Sequence, residues 1–407
     1  WTGDMTPVAR TIGWLAVLGA GLAACGSSSG PSTPGQPTRL AFTRDTFAVN
    51  ELGSFQLRAV AYDANGAAVP GQAISYGVTG TAATATMAGM VTGVAPGVGT
   101  LEAHLGQLGA TAALEVFGHP VGTVLDSVAL GSRPFGVAVS RTGVVYVTQL
   151  DNARVSRVDT NHTVVDSIEV GQVPTGITFS PDGQFAYVTN QLSQNVGVID
   201  VALAQQARTI PVPCNPFVPF VSPDGQKLFV TCNTSMVYVA DPTPGVLTDS
   251  ITLTQAPNAI ALNPDQQRIY VSAFFGGTVS EISIASGAVL RTFSPGGMPQ
   301  GMVVSPDGAE LFVANEAGWV DVYDLGTGQP EPQVVLSGGG FGLALSPDLA
   351  YLYVTEPNAG LVEIIDLGSR AVAHTLQVHG VPRRIAFTRH GGVAVIPNEG
   401  GYVSFVR

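Results

Sequence analysis

The first part of the chain alternates apolar and polar residues in short runs, with Gly and Pro between the runs. Residues 55–60 and 99–104 are two of these runs. A period of two places the apolar side chains on one face of a strand, and the intervening Gly and Pro favour turns. Residues 38–118 are therefore predicted to form a small β-sandwich.

The remainder of the chain repeats one pattern seven times. Each copy opens with a proline, or in one copy a glycine, followed by an apolar strand, and the copies are 40 to 42 residues apart. Repeats of this length are typical of β-propellers, in which each repeat forms one four-stranded sheet. The aligned positions are Pro134, Pro174, Pro216, Pro257, Pro299, Gly340 and Pro382.

A second string recurs in the same register. It reads YVTQ from residue 146, YVTN from 187, FVTC from 229, YVSA from 270, FVAN from 312, YVTE from 353 and VIPN from 395. These strings resemble the YVTN family of β-propeller repeats. The resemblance implies seven blades of strands a to d, with the proline segment leading the innermost strand a and the YVTN-like string forming strand b.

The two ends of the repeat region are predicted to join. The last copy stops after its third strand, whereas residues 124–130 precede the first copy and match strand d of the others. Such a strand would complete the seventh blade and remove exposed sheet edges. The propeller is therefore assigned to residues 119–407.

Several turns between strands a and b read Ser-Pro-Asp-Gly. Ser180, Pro181, Asp182 and Gly183 form one example. Proline presets φ at the first turn position, aspartate caps its own backbone and glycine takes positive φ. These segments are predicted to be hairpin turns and not metal-binding loops.

The N-terminus has the features of an export signal. Residues 11–24 form an uncharged apolar run after Arg10, which is too short to span a bilayer. The run ends in Leu-Ala-Ala-Cys25, which resembles the lipobox of bacterial lipoproteins. The resemblance implies a signal peptide over residues 1–25, a lipid on Cys25 and, because glycine follows the cysteine, an outer-membrane address if the organism has one. The alternative is an ordinary signal peptide with a chance cysteine.

Two further segments complete the domain plan. Residues 26–37 offer no apolar side chain to bury and are predicted to be a flexible linker. The strings AYDANGAAVPGQAISYGVTG, GMVTGVAPGVGTLEAHLG and ATAALEV resemble the bacterial group-two immunoglobulin-like domain, with Tyr76 in place of its consensus tryptophan. That resemblance implies a spacer or adhesion module.

Composition narrows the classes of function. Apolar residues make up 45% and charged residues 11% of the chain, which has 50 Gly and 28 Pro, so both disorder and a helical bundle are disfavoured. The formal net charge is −12, which gives no electrostatic footprint for nucleic acid. Nucleic acid is therefore not an expected partner.

The predicted innermost strands offer little for catalysis. None of the seven contains Asp, Glu, His or Cys. Metal-dependent hydrolysis needs oxygen ligands in the channel, and acid–base catalysis needs a titratable group there. The sequence therefore predicts no catalytic residue, no cofactor site and no metal site in the channel.

The loops at one end of the propeller, here called the top face, form the candidate binding site. The connections from strand b to c and from strand d to a converge there, and blades 5, 6, 7 and 1 are neighbours. The carboxylates are predicted to form an acidic crescent that binds a cation such as Ca²⁺, a glycan or a peptide; an ordinary solvated face is the alternative. Its members are Asp151, Glu316, Glu356 and Glu399, with Asn190, Asn315, Asn358, Asn398, Arg383 and Arg384.

Aromatic residues and cysteines add two predictions. Phe274, Phe275 and Trp319 lie in or beside b-to-c loops, where they would stack a sugar or anchor a peptide; packing between blades is the alternative. Cys214 lies in the loop entering strand a of blade 3 and Cys232 ends strand b of the same blade; they are predicted to form a disulfide, with a reactive thiol pair as the alternative.

Three hypotheses of function follow. The first is a non-enzymatic envelope lipoprotein, monomeric and attached to the membrane only by its lipid, whose propeller binds a protein, glycan or surface polymer. The second is an enzyme similar to propeller lactonases or quinone dehydrogenases, which rests on fold analogy. The third is a structural component of a surface layer.

Overall fold

A computed structural model describes residues 35–50, 53–64, 66–95, 97–117, 121–388 and 392–407. These ranges contain 37 strands and no helix, which confirms the all-β prediction. Consequently, no helix within them is long and apolar enough to cross a membrane. The predicted signal peptide, Cys25 and residues 26–34 of the predicted linker lie outside the described residues.

The N-terminal unit packs a four-stranded sheet (order β2-β9-β8-β5) against a three-stranded sheet (β3-β7-β6), with β1 and β4 paired beside them. Phe47, Leu101 and Leu114 from the first sheet meet Phe55 and Val91 from the second in one buried cluster. Its strands are β1 (Arg39–Phe42), β2 (Thr46–Asn50), β3 (Ser54–Gln56), β4 (Ala59–Tyr62), β5 (Ser75–Thr79), β6 (Ala83–Ala85), β7 (Met90–Gly93), β8 (Gly97–Leu105) and β9 (Leu108–Phe117).

The C-terminal region consists of seven four-stranded antiparallel sheets, numbered here 1 to 7. Sheets 1 to 3 are continuous in sequence. Sheet 1 contains β11 (Pro134–Val139), β12 (Val145–Gln149), β13 (Arg154–Val158) and β14 (Val164–Glu169); sheet 2 contains β15 (Pro174–Phe179), β16 (Phe185–Asn190), β17 (Asn195–Asp200) and β18 (Gln205–Pro211); sheet 3 contains β19 (Pro216–Val221), β20 (Leu228–Cys232), β21 (Met236–Asp241) and β22 (Val246–Thr252).

Sheets 4 to 6 follow the same order, and each turn at the end of strand a leads to its YVTN-like strand b. Sheet 4 contains β23 (Ile260–Leu262), β24 (Arg268–Ala273), β25 (Thr278–Ser283) and β26 (Val289–Phe293); sheet 5 contains β27 (Pro299–Val304), β28 (Glu310–Asn315), β29 (Trp319–Asp324) and β30 (Pro330–Val335); sheet 6 contains β31 (Leu343–Leu345), β32 (Tyr351–Glu356), β33 (Leu361–Asp366) and β34 (Ala371–Gln377).

Sheet 7 takes its outer strand from upstream. It contains β35 (Ala386–Phe387), β36 (Ala394–Asn398), β37 (Tyr402–Val406) and β10 (Val124–Ala129). β10 pairs antiparallel with β37, for example Ser127 with Ser404. The pairing predicted between the two ends of the repeat region is therefore present.

Hydrogen bonds link each of the seven sheets to the next, and five of these links use an equivalent side-chain hydroxyl. The hydroxyl of Thr148 in sheet 1 accepts a bond from Gly136 N–H (2.7 Å) and donates to the carbonyl oxygen of Thr175 in sheet 2 (3.0 Å). Thr189, Thr231, Ser272 and Thr355 donate in the same way to Phe217, Asn258, Gln300 and Arg383.

Two links use the backbone alone. Sheet 5 has Ala314 at the hydroxyl position, and Gly301 N–H donates directly to the carbonyl oxygen of Phe341 in sheet 6 at 2.9 Å. In sheet 7 the position is Pro397, and Arg384 N–H faces the carbonyl oxygen of Phe135 in sheet 1 at 3.4 Å. The seventh sheet is thus linked back to the first.

The hydrophobic core is divided among the sheet interfaces. A separate buried cluster lies between each pair of neighbours, including one between sheets 7 and 1 that contains Val145, Val147, Val403 and Phe405. The innermost strands therefore meet around a central channel, and their first residues form its mouth on the top face.

The N-terminal unit contacts the end of the sheets opposite the top face. The Arg407 guanidinium lies 4.1 Å from the centre of the Phe117 ring. Ala48 lines a small cavity together with Ser346 and Pro347, which belong to the turn between strands a and b of sheet 6. The top face is therefore left uncovered by this unit.

Candidate functional site

In four of the seven sheets the fourth residue of the YVTN-like string ties strand b to the loop that enters strand a: Gln149, Cys232, Asn315 and Asn398. In sheet 5 the Asn315 oxygen accepts a hydrogen bond from Met298 N–H at 2.8 Å, and its NH₂ donates to the Gly296 carbonyl oxygen at 3.1 Å. In sheet 7 the Asn398 oxygen accepts from Val381 N–H at 2.8 Å. Both asparagine side chains are fully buried.

Sheet 3 makes the same connection covalently. Cys232 occupies the fourth position and is disulfide-bonded to Cys214 in the loop entering strand a, with the two Cα atoms 6.0 Å apart. The predicted disulfide is therefore present. Both cysteines are buried.

Three predicted amide ligands are consequently interior residues. Asn190, Asn315 and Asn398 all have 0% exposure. The Asn190 NH₂ donates to the Asn195 side chain at 2.9 Å. These amides stabilise loops and do not lie at the surface, where the sequence analysis expected them. Asn358, in contrast, is exposed in the b-to-c loop of sheet 6.

Two carboxylates of the predicted acidic crescent, Asp151 and Glu399, are ion-paired with arginines. Glu399 pairs with both Arg383 and Arg133, whose Nε lies 2.7 Å from the carboxylate. Asp151 lies 3.6 Å from Arg133. The bond to Glu399 raises the pKa of Arg133. This part of the top face is an ion-pair network and not a set of free acidic ligands.

Glu316 belongs to a second polar network at the channel mouth. Its carboxylate accepts a bond from Gln300 at 2.7 Å, and Gln300 accepts one from Asn258. Burial raises the pKa of Glu316, whereas the Gln300 bond and the nearby Arg383 lower it. Arg383, which is bonded to Glu399, therefore lies near both networks.

Glu356 is the fourth-position residue of sheet 6, and it is fully buried. Neither carboxyl oxygen makes a hydrogen bond of good geometry among the described residues, although Gly338 and the Glu363 carboxyl lie beside it. Burial and the neighbouring Glu363 carboxyl raise the pKa of Glu356 to about 8. The Ser337 hydroxyl donates a hydrogen bond to the Glu363 carboxylate. Glu356 is therefore an interior residue as well, and its carboxyl group is not available to a ligand on the top face.

Three phenylalanine rings close the channel mouth from different sheets. Phe135 of sheet 1 lies 5.8 Å from Phe217 of sheet 3 and 6.0 Å from Phe341 of sheet 6, centre to centre, in edge-to-face geometry. Arg383 lies over Phe135 and Phe341 at 5.5 and 5.0 Å. Such contacts are typical of cation–π interaction.

Arg384 was predicted on the top face, and the structure corrects this. It lines a cavity of about 240 Å³ in the central channel, one residue further along the inner strands than the phenylalanine rings. Its guanidinium lies 5.5 Å from Phe217 and 5.0 Å from Phe341. The channel wall therefore does carry an ionisable group, which the search for Asp, Glu, His and Cys overlooked.

The predicted aromatic residues differ in exposure. Phe275 is 84% exposed and packs edge-to-face on Phe274, with ring centres 4.7 Å apart. Trp319 is half-buried, and its indole N–H donates to Asp321 at 3.0 Å. Phe275 is thus the member of this set that is available to a ligand.

Sequence reasoning missed the residues of the channel mouth. Phe135, Phe217, Phe341, Asn258 and Gln300 all occupy the position after the recurring proline or glycine. Comparing that one position across the seven copies would have identified them. In the described ranges, no group of three or more His, Cys, Asp or Glu that could hold a metal ion occurs.

Comparison with known proteins identifies the family. The model of the YNCE-like beta-propeller family matches residues 111–399. The structure of Kuenenia stuttgartiensis hydrazine synthase is similar, with a TM-score of 0.63 and 21% identity over 71% of this chain and 99% of that chain, a likeness of fold alone. No curated protein matches the chain. Because the family model matches well over half of its residues, the chain belongs to the YNCE-like beta-propeller family.

Proposed function

We propose that the chain is an exported lipoprotein, anchored through Cys25, in which an immunoglobulin-like domain carries a seven-bladed propeller of YVTN type. The seven four-stranded sheets, the hydrogen bonds that link each to the next and the pairing of β10 with β37 support this architecture. The packed sheets of residues 39–117 support the immunoglobulin-like assignment. The lipid anchor rests on the lipobox-like string before Cys25.

The propeller is proposed to be a non-enzymatic binding platform that takes a glycan or other surface polymer on its top face. The observation that carries this proposal is Phe275. Among the described residues it is the most exposed large hydrophobic side chain, and it lies on the face away from the N-terminal unit.

The surroundings of Phe275 favour a sugar ligand. Gly276 approaches the side chain of Gln255 so closely that a Cβ there would lie 2.4 Å from its Cγ. The polar and exposed Gln255 therefore packs against the loop that carries Phe275. A flat aromatic surface beside hydrogen-bonding groups is suited to stacking a sugar ring while its hydroxyls are bonded.

The test is co-sedimentation of the mature chain with insoluble envelope polysaccharide and peptidoglycan. Phe275→Ser is expected to weaken binding at least tenfold. Leu203→Ser is the matched control, because Leu203 is 65% exposed in a turn at the opposite end of the sheets. Equal binding by Phe275→Ser and the unchanged chain would contradict the proposal. Ordered arrays of the purified chain in electron micrographs would favour the surface-layer alternative.

A further inference from the structure

The third position of each inner strand is glycine or alanine in five of the seven sheets and valine in a sixth. At Gly136 a Cβ would lie 2.1 Å from the carbonyl oxygen of Thr175, and at Gly342 it would lie 2.4 Å from that of Arg383. Close approach of neighbouring sheets therefore favours small residues here. The seven residues are Gly136, Gly176, Val218, Ala259, Gly301, Gly342 and Arg384.

Arg384 is thus the one long side chain in this ring, and it borders the cavity of about 240 Å³. The other lining side chains are mainly apolar, and they include Val137, Ile177, Ile260 and Met302, whereas exposed backbone groups make the cavity surface about half polar. Among the described residues that line the cavity, Arg384 is the one ionisable group.

No acidic side chain among the described residues is paired with Arg384. Its Nη2 is buried and makes no hydrogen bond within the described residues. The neighbouring charge is Arg383, which is itself bonded to Glu399. Burial, and to a lesser extent Arg383, lower the pKa of Arg384 to about 10, which leaves the guanidinium protonated at neutral pH. The rings of Phe217 and Phe341 offset part of the lost hydration.

We propose that the central channel binds a small organic carboxylate, with its carboxylate on Arg384 and its apolar body against the channel wall. The planar guanidinium fork matches a carboxylate in geometry, and the apolar lining favours a hydrocarbon body over a fully hydrated inorganic anion. The cavity volume corresponds to about eight water molecules, which suits a ligand of a few heavy atoms.

The attraction between the ligand carboxylate and the Arg384 guanidinium must act at short range, because the chain as a whole has a formal net charge of −12. Long-range steering would repel an anion. The site is distinct from Phe275, which lies in an outer loop of the top face. Loss of polymer binding and loss of carboxylate binding are therefore separable results.

The experiment is isothermal titration of the full mature chain with butyrate and with benzoate. Butyramide, which has the same shape without charge, is the control ligand, and phosphate and chloride test for a site without selectivity for an organic body. Saturable binding of one carboxylate per chain, at least tenfold tighter than butyramide, is expected.

Arg384→Met is expected to weaken carboxylate binding at least tenfold while leaving the thermal unfolding midpoint equal or higher, because it removes an unpaired buried charge. Arg154→Met removes an equal charge from the surface, where Arg154 pairs with Glu169, and should bind as the unchanged chain does. If Arg384→Met fails to fold, Met302→Phe narrows the same cavity and should weaken binding.

Three results would overturn the proposal. These are no saturable binding of either carboxylate, equal binding by folded Arg384→Met, and binding of phosphate or chloride as tight as that of butyrate. A solvated arginine stabilised only by its two phenyl rings predicts the first of these.

Discussion

Sheets 5 and 6 place different chemistry at the same position of the repeat. In sheet 5 the fourth residue is Asn315, whose amide bonds the entering loop and the Asp321 carboxylate at 3.0 Å. In sheet 6 it is Glu356, whose two oxygens make no hydrogen bond of good geometry in the described structure, beside a second buried acid, Glu363. The backbone register of the two sheets is equivalent at this position.

The difference shows that one position of the repeat can perform the same task with different residue types. The task is to hold strand b to the loop entering strand a. Asn315 and Asn398 do so by hydrogen bonds and Cys232 by a disulfide, whereas Glu356 lies beside Gly338 of the entering loop without a hydrogen bond of good geometry. A local departure of this kind from an otherwise consistent pattern is expected to cost stability.

Removing the amide from sheet 5 should have the largest effect. Asn315→Ala leaves the Met298 N–H, the Gly296 carbonyl and the Asp321 carboxylate without this partner. We expect the free energy of unfolding to fall by about 3 kcal/mol or more, measured by urea denaturation. Asn358→Ala, at an exposed asparagine, should change it by less than about 0.5 kcal/mol. Similar losses in both variants would contradict the loop-tying role.

Removing the Cys214–Cys232 disulfide should lower the free energy of unfolding by slightly less. Replacing Cys214 and Cys232 by Ser opens a loop of 17 intervening residues, and we expect a loss of about 3 kcal/mol in the free energy of unfolding. Reductant should shift the urea midpoint of the unchanged chain towards that of the double variant and leave the variant itself unaffected. A midpoint insensitive to both changes would show that the disulfide does not stabilise sheet 3.

Replacing Glu356 in sheet 6 should raise the free energy of unfolding instead of lowering it, and only at higher pH. The pKa of Glu356 is raised from 4.5 to about 8 in the folded chain, so between these values the folded state holds a proton that the unfolded state lacks. Stability contributed by this group is present below pH 4.5 and is lost as the pH rises through 8. Glu356→Gln, which places an amide where sheet 1 has Gln149, should therefore stabilise the chain.

The expected gain is on the order of 1–3 kcal/mol at pH 8 and near zero at pH 4.5. Thermal unfolding from pH 4.5 to 8.5 measures it, and Glu169→Gln, at an exposed acid paired with Arg154, is the control. A gain that is the same at both pH values would contradict the raised pKa as its cause.

The sequence predicted those features that depend on local, repeated signals. The 41-residue period located the seven inner strands, and the Ser-Pro-Asp-Gly turn behaves as expected: Asp182 accepts a bond from Gln184 N–H at 2.9 Å, and Gly183 has φ of 75°. The disulfide was also predictable, because one cysteine precedes strand a and the other ends strand b, so that both lie at the same end of one hairpin.

The site was predicted less well, because position in a loop does not determine burial. Asn190, Asn315, Asn398 and Glu356 end a strand and point inward, although the sequence placed them in surface loops. The pairing of Glu399 with Arg133 joins residues 266 apart in sequence. Long-range pairings of this kind cannot be identified from one sequence without knowing how sheets 7 and 1 adjoin.

The smallest expected effect concerns the link between sheets 6 and 7. The Thr355 hydroxyl accepts a bond from Gly342 N–H at 2.7 Å and donates to the Arg383 carbonyl oxygen at 2.6 Å. Sheet 5 has Ala314 at this position and needs no hydroxyl, because the backbone N–H of Gly301 donates directly to the carbonyl oxygen of Phe341 in the next sheet. Thr355→Ala is expected to lower the free energy of unfolding by about 1–2 kcal/mol, and Thr355→Ser to restore most of it, as Ser272 fills the same role in sheet 4. If Thr355→Ala costs nothing, the backbone of sheet 6 must close the gap as that of sheet 5 does, and the hydroxyl is then dispensable at this interface.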